Sequence, residues 1–241
     1  MKAEELKTTS VRIDGELITV RPGQTILQAA RDHGKYIPTL CYFEGLSAAG
    51  ACRVCMVEVA GTDRLLAACT TPVQDGMSIR TTSIRLNEYR KIAVELLLAE
   101  RNHVCSACVS NGHCELQNLA QYLEITHVRH PYNNPRLSVD MSHPRFVLDQ
   151  NRCILCSRCV RVCSELEGAN VWEISARGIG SRLVSDLGED WGSAKHCTSC
   201  GKCAKVCPTG ALTEKGIAHQ QSKNIEPILH LRRTSSQNTN V

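Results

Sequence analysis

The chain has 241 residues, enough for one large domain or two to three small ones, and aromatic residues make up only 4% of it, so each core must be modest. Its net charge of +4 is mild and spread along the chain, which argues against a nucleic-acid partner. The start, Met1-Lys2-Ala3-Glu4-Glu5-Leu6-Lys7, lacks an apolar h-region, and the longest apolar run, Ile92 to Ala99, is interrupted by Glu95 and far too short to span a bilayer. A soluble, cytoplasmic chain is expected. There are fifteen cysteines, an odd number that fits a disulfide framework poorly, and disulfides are rare in a reducing cytosol. Small modules with thin cores need a staple, and metal clusters can supply it.

Residues 8–82 read as a β-rich module. Val11-Arg12-Ile13 and Leu17-Ile18-Thr19-Val20 flank Asp14-Gly15, a tight-hairpin signal. Thr25-Ile26-Leu27-Gln28 is a capping box opening a helix with Ile26, Leu27, Ala29 and Ala30 on its apolar face; Gly34 ends it, and Pro38 lies beyond. Cys55-Met56-Val57-Glu58-Val59 reads as a further strand, and the order fits a β-grasp fold. The candidate ligands are Cys41, Cys52, Cys55 and Cys69, among the small residues Ser47, Ala48, Ala49, Gly50 and Ala51, which let backbone approach a cluster closely. Four thiolates would also suit zinc; the β-grasp setting favours a 2Fe–2S cluster. Ten residues separate the first two cysteines, where the plant-type pattern has four. The longer loop resembles the 2Fe–2S domain that opens the large iron–sulfur subunit of complex I and of NAD-linked hydrogenases.

Residues 83–123 read as a helical module. Ser83 caps a helix through Ile84, Leu86, Tyr89, Ile92, Ala93, Leu96 and Leu97, and Glu115-Leu116-Gln117 opens a short helix through Leu119 and Leu123. Between them stand Cys105, Cys108 and Cys114, three ligands in need of a fourth. The segment resembles the His-Cys₃ 4Fe–4S domain of complex I and of NAD-linked and iron-only hydrogenases. In many of those relatives the histidine lies four residues before the first cysteine; here Arg101 holds that position. The resemblance therefore points to His103, the nearest imidazole, with His113 as the alternative.

Residues 124–143, with Pro131, Pro135 and Asn133-Asn134, read as an irregular surface connector. Its histidines, His127, His130 and His143, are expected to be solvent or contact residues, His143 standing out because Ser142-His143-Pro144 could sit at an interface between modules. Residues 144–216 carry the most specific signal: Cys153, Cys156, Cys159 and Cys163, then Cys197, Cys200, Cys203 and Cys207, each in C-x₂-C-x₂-C-x₃-C spacing. In bacterial two-cluster ferredoxins with this run, the fourth cysteine binds the other cluster. Cys153, Cys156, Cys159 and Cys207 are therefore expected to hold one 4Fe–4S cluster, and Cys163, Cys197, Cys200 and Cys203 the second. Pro208 follows the second run, whereas Ser164 follows the first. Strand and turn are expected over Ile174 to Val184. Residues 217–241 form a polar tail, rich in Ser, Gln and Asn.

No G-x-G-x-x-G follows a strand, and no Walker-type loop, nucleophile elbow or H-E-x-x-H is present. The expected architecture is α+β and multi-domain: a β-grasp 2Fe–2S ferredoxin, a small helical His-Cys₃ 4Fe–4S domain and a two-cluster bacterial-type ferredoxin, four clusters in all and no catalytic residue. That order resembles the N-terminal part of the complex I large subunit, and, for a freestanding chain of this length, the small diaphorase (gamma, HoxU-type) iron–sulfur subunits of cytosolic NAD-reducing NiFe hydrogenases. The resemblance implies a non-catalytic electron-relay subunit of a hydrogen:NAD⁺ oxidoreductase. Its partners would be an FMN- and NAD-binding diaphorase subunit and the small and large NiFe hydrogenase subunits, with no nucleic acid and no membrane span. The alternatives are a relay subunit of an NAD-dependent formate dehydrogenase or a complex I-like NADH dehydrogenase, a zinc-bound scaffold, and a redox sensor.

Overall fold

The computed structural model describes residues 9–216, so the polar tail at 217–241 lies outside the described residues. The chain divides into two compact units: residues up to Thr39 together with Ala48–Ala93, and Leu40–Ser47 together with the residues from Val94 onward.

The first unit is built on a hairpin. Strands β1 (Thr9–Ile13) and β2 (Glu16–Val20) pair antiparallel, Ile13 facing Glu16. Asp14 and Gly15 take up the turn at φ of 52° and 86°, a backbone that β-branched residues resist. The Asp14 carboxylate accepts from the Thr81 amide at 2.7 Å and its hydroxyl at 2.6 Å. Alternation buries Val11, Ile13, Ile18 and Val20 on one face. Helix α1 (Ile26–Asp32) starts at the expected capping box: Thr25 Oγ1 accepts from the Gln28 amide at 3.3 Å, and Gln28 Oε1 accepts from the Thr25 amide at 2.9 Å. Strands β3 (Met56–Val59), β4 (Leu66–Ala67) and β5 (Ser78–Arg80) complete a five-stranded sheet in the order β2-β1-β5-β3-β4. Its β1 and β5 run parallel, and this mixed sheet with one helix is the expected β-grasp arrangement.

Helix α2 (Ile84–Glu100) begins where Ser83 Oγ accepts from the Leu86 amide at 3.1 Å. Its buried face differs from the one the apolar spacing suggests. Ile84, Ile92 and Leu96 are exposed, while Leu86, Val94 and Ala99 are buried beside the charged Arg90 and Glu95. Polar partners explain the difference. Arg90 donates to the carbonyls of Met56 and Thr81, each at 2.9 Å, within the first unit. Glu95, in the second, receives Arg129 Nε at 2.8 Å, with His130 Nε2 at 3.6 Å. A charge is buried without large cost when it is paired and hydrogen-bonded.

In the second unit, α3 (Glu115–Tyr122) follows Cys114. The connector is not wholly irregular, because it contains β6 (Val139–Asp140), which pairs with β7 (Phe146–Asp149) through Val139↔Asp149. Local anchors hold the rest of it, among them the Arg129–Glu95 pair, the Asn133 amide donating to the Ala99 carbonyl at 2.9 Å, and Asn102 donating to the Pro135 carbonyl at 2.7 Å. Helix α4 (Arg158–Val162), strands β8 (Trp172–Ser175) and β9 (Arg182–Ser185), helix α5 (Lys202–Val206) and strand β10 (Leu212–Glu214) follow. β10 joins β7 and β6 in a three-stranded sheet, and β8 and β9 form a separate hairpin. The core gathers Phe146, Leu148, Val162, Trp172, Leu183, Trp191, Val206 and Leu212 around most of the cysteines of the two long runs. Among the described residues, no helix is long and apolar enough to cross a membrane.

Candidate metal centres

The two C-x₂-C-x₂-C-x₃-C runs fold as copies of one another. Each wraps a loop and then enters a helix, α4 after Cys156 and α5 after Cys200. At the second position after the leading cysteine, Leu155 and Ser199 have φ of 52° and 54°; at the fourth, Ser157 and Gly201 have φ of 56° and 75°. Left-handed residues at fixed intervals turn successive amide N–H groups inward, making a concavity suited to negative charge. The Leu155 amide accordingly lies within hydrogen-bonding reach of the Cys153 sulfur, and the Arg158 amide within reach of that of Cys156.

Cys153, Cys156, Cys159 and Cys207 line one small cavity of about 20 Å³, together with Ile154, Leu155 and Pro208. The fourth cysteine of the second run thus stands with the first three of the first run. Burial penalises their charged forms first of all, pushing the thiols of Cys153 and Cys156 up to about 11 and about 12, and that of Cys159 well above the ordinary range. Four buried thiolates are untenable without a compensating cation, and iron provides one. Cys163, Cys197, Cys200 and Cys203 make the complementary group: Cys163 and Cys203 each lie within electrostatic reach of Cys197 and Cys200, and of one another. Burial raises the Cys203 thiol strongly.

Cys105, Cys108 and Cys114 line another cavity, of about 110 Å³, which His103 also lines. The His103 Nε2 is shielded from solvent and has no hydrogen-bond partner, while the Leu97 backbone engages the same ring. A histidine that ligates metal through one nitrogen commonly gives its other N–H to a carbonyl, so this orphaned atom suits a ligand. Burial, with the nearby Arg152 and Arg101, pulls the imidazole down to about 4, which keeps it neutral as a ligand must be. His113 is exposed and does not line the cavity. Gly210 closes one side: a Cβ there would lie 2.7 Å from Ser110 Oγ and 2.9 Å from Cys108 Sγ.

In the first unit, Cys55 and Cys69 are buried and Cys52 is half-buried. Cys55 and Cys69 flank the β3–β4 pairing, where Met56 faces Ala67 and the Ala68 amide donates to the Cys55 carbonyl at 3.0 Å. The expected crowding by small residues is present at Gly50, which has φ of 63°; a Cβ there would lie 3.2 Å from Thr70 Cγ2. Cys41, buried, belongs with the second unit. There, Arg161 Nη2 donates to the Cys41 carbonyl at 2.7 Å and to the Cys156 carbonyl at 3.1 Å.

Several functional neighbours are not apparent from cysteine spacing. Arg158 lies inside the first run and is 3% exposed; its guanidinium meets the Glu115 carboxylate at 2.7 and 2.8 Å and donates to the carbonyls of Tyr42 and Val206. A basic residue within a ligand run is the available signal. Arg101 is also buried, donating to the Ser181 carbonyl at 2.6 Å within electrostatic range of both His103 and Cys153. His143, read as a contact residue, is buried beside Cys197.

Three family models match in chain order. A 2Fe–2S iron–sulfur cluster binding domain covers residues 7–83, the NADH-ubiquinone oxidoreductase-G iron–sulfur binding region covers 90–129, and the ferredoxin-like domain of NADH-quinone oxidoreductase subunit 3 covers 144–213. The chain is 35% identical to the gamma subunit of the NAD-reducing hydrogenase HoxS of Cupriavidus necator, over 87% of this chain and 88% of that one. It is 39% identical to the NADPH-Fe(3+) oxidoreductase subunit alpha of Geobacter sulfurreducens over 86% of its own length, but spans only 24% of that larger protein. A chain of the crystal structure of an NAD⁺-reducing NiFe-hydrogenase in the H₂-reduced state matches with a TM-score of 0.81 and 39% identity, over 87% of this chain and 88% of that one.

Proposed function

Because this chain belongs to the family of the gamma subunit of NAD-reducing hydrogenase, we propose that it is the electron-relay subunit of a hydrogen:NAD⁺ oxidoreductase. It would sit between an FMN- and NAD-binding diaphorase subunit and the small and large subunits of a NiFe hydrogenase, in the cytoplasm. In this reading the chain carries no substrate site. Cys41, Cys52, Cys55 and Cys69 hold a 2Fe–2S cluster. Three 4Fe–4S clusters are held by His103 with Cys105, Cys108 and Cys114; by Cys153, Cys156, Cys159 and Cys207; and by Cys163, Cys197, Cys200 and Cys203. The modules are residues 8–82, 83–123 and 144–216, with a connector at 124–143. Bound clusters supply storage for one electron at a time, which joins a two-electron hydride donor to a distant metal centre.

The observation that carries this reading is the serial order of the second unit's thiols. Cys114 lies within electrostatic reach of Cys207, and Cys159 within reach of Cys203. The group at Cys153 therefore neighbours both others, an arrangement suited to stepwise transfer. The chain's residues hold these groups close, exclude water from most of the thiols and provide neutral or cationic neighbours, Arg101, Arg152 and Arg158 among them.

The match to the Geobacter subunit and the NADH-ubiquinone and NADH-quinone oxidoreductase family models favour one second reading, in which the same relay serves another NAD(P)-linked enzyme; we propose a complex I-like NADH dehydrogenase or a formate dehydrogenase as that enzyme. Anaerobic purification of the chain with its natural partners, followed by assays of hydrogen- and formate-dependent NAD⁺ reduction, tests both. Hydrogen-dependent activity with nickel present supports the hydrogenase. Formate-dependent activity with molybdenum or tungsten keeps the cluster assignments and moves the chain to the second enzyme. The chain itself should contain roughly fourteen irons, from one two-iron and three four-iron clusters; a value near four, or mostly zinc, refutes the cluster reading.

A further inference from the structure

The chain has only two tryptophans, Trp172 and Trp191, and both are buried in the ferredoxin core with His143 and Phe146. An indole has one polar atom, an N–H that can only donate, and when buried it usually finds an acceptor. Here both indoles meet sulfurs of one candidate cluster. Trp191 Nε1 donates to Cys197 Sγ at 3.4 Å, and the Trp172 side chain lies within hydrogen-bonding reach of Cys203. The Val171 amide donates to a third sulfur of the set, Cys163 Sγ, at 3.4 Å.

His143 supports the Cys197 sulfur. Its Nδ1 accepts from the amides of Arg145 and Phe146 at 3.1 and 3.2 Å, which assigns the ring proton of the neutral form to Nε2. That Nε2 faces Ser199 Oγ at 3.1 Å and Cys197 Sγ at 3.8 Å. The imidazole packs 4.7 Å from the Trp191 ring, and Phe146 packs 5.4 Å from the same indole on its stacked face. Trp172 meets Trp191 edge to face at 4.7 Å. Both indoles are buried among these rings.

We infer that Trp172 and Trp191, with His143 fixing the Trp191 ring, raise the reduction potential of the cluster on Cys163, Cys197, Cys200 and Cys203. The physical reason is charge. Adding one electron places more negative charge on the cysteine sulfurs, and an N–H aimed at a sulfur stabilises the reduced state more than the oxidised one. In a buried, preorganised setting the donor needs no reorientation when the electron arrives. This inference rests on the cluster assignment proposed above and deepens it.

The test uses the full chain, purified anaerobically with its clusters, and redox titration followed by electron paramagnetic resonance. Trp172→Phe and Trp191→Phe each keep an aromatic ring and remove the donor. Both should shift the same single 4Fe–4S signal to lower potential and leave the other two 4Fe–4S signals in place. Unchanged potentials in both variants overturn the inference. A measurement on the unmutated chain guards against variants that fail to fold. Tryptophan labelled with ¹⁵N at the indole nitrogen marks only these two side chains, so pulsed resonance should find ¹⁵N coupled to one reduced 4Fe–4S cluster. Absence of that coupling, with all four clusters present, overturns the inference alone. A chain that purifies without iron overturns the cluster assignment and this inference together.

Discussion

Gly210 approaches Cys108 so closely that a side chain at position 210 would begin 2.9 Å from the cysteine sulfur. The glycine belongs to the turn before β10, and the cysteine to the loop before α3, so two loops far apart in sequence share one wall of the cavity that His103 lines. The Glu115 amide, donating to the Pro208 carbonyl at 2.8 Å, fixes that approach. Gly210→Ala must therefore push Cys108 or Ser110 aside, at a cost of about 1–3 kcal/mol for overpacking. The expected outcome is loss or distortion of one 4Fe–4S signal, with the signals of the two long cysteine runs retained. An unaltered paramagnetic spectrum and full iron content would show that the loops yield freely.

His103 and His113 separate cleanly by experiment. His103→Ala removes the shielded, unpartnered Nε2 from the cavity, and iron content should fall by about four atoms per chain as one cluster fails to assemble. His113→Ala changes an exposed side chain and should leave the iron content intact. The reverse pattern would transfer the ligand role to His113.

The proposed crossed ligation makes Cys163→Ala informative. Its sulfur groups with Cys197, Cys200 and Cys203, although its sequence neighbours are Cys153, Cys156 and Cys159. The substitution should damage the cluster on the later cysteines and spare the one on the earlier three with Cys207. Damage confined to the earlier cysteines would refute the crossed arrangement, and spectra of the corresponding Cys207→Ala variant should show the mirror result.

Arg158→Leu tests whether a buried cation supports the fold around the clusters. The change removes the Glu115 pair and leaves the carbonyls of Tyr42 and Val206 without this donor. Glu115 is 43% exposed and can return to water, so the loss should be moderate, about 1–3 kcal/mol. Chemical denaturation of the holo-chain measures it; a midpoint equal to that of the unmutated chain would show the guanidinium to be dispensable.

Local features are legible in the residues themselves. The Asp14-Gly15 turn and the Thr25 capping box occur as the sequence implies, because each depends on residues three or four apart whose geometry the backbone fixes. The paired cysteine runs are legible for the same reason: their spacing encodes a loop with left-handed residues at matching steps. The buried face of α2 is not legible, since apolar periodicity cannot reveal that Arg90 finds two carbonyl acceptors and Glu95 an arginine from the connector. Nor can the short strand β6 be read from two residues, because it exists only through its pairing with β7.

By itself, then, the sequence determined the number and spacing of the cysteines and the order of the modules that carry them. Tertiary structure decided what surrounds those residues. It brings His103 rather than His113 to the cavity of Cys105, Cys108 and Cys114, turns both indoles toward sulfurs of one group, and buries Arg101 and Arg158 beside the thiols. The division follows range. Spacing along the chain sets which atoms a loop can present, whereas the atoms that meet them come from segments distant in sequence, as Gly210 meets Cys108 and Ser181 meets Arg101, and only packing selects those.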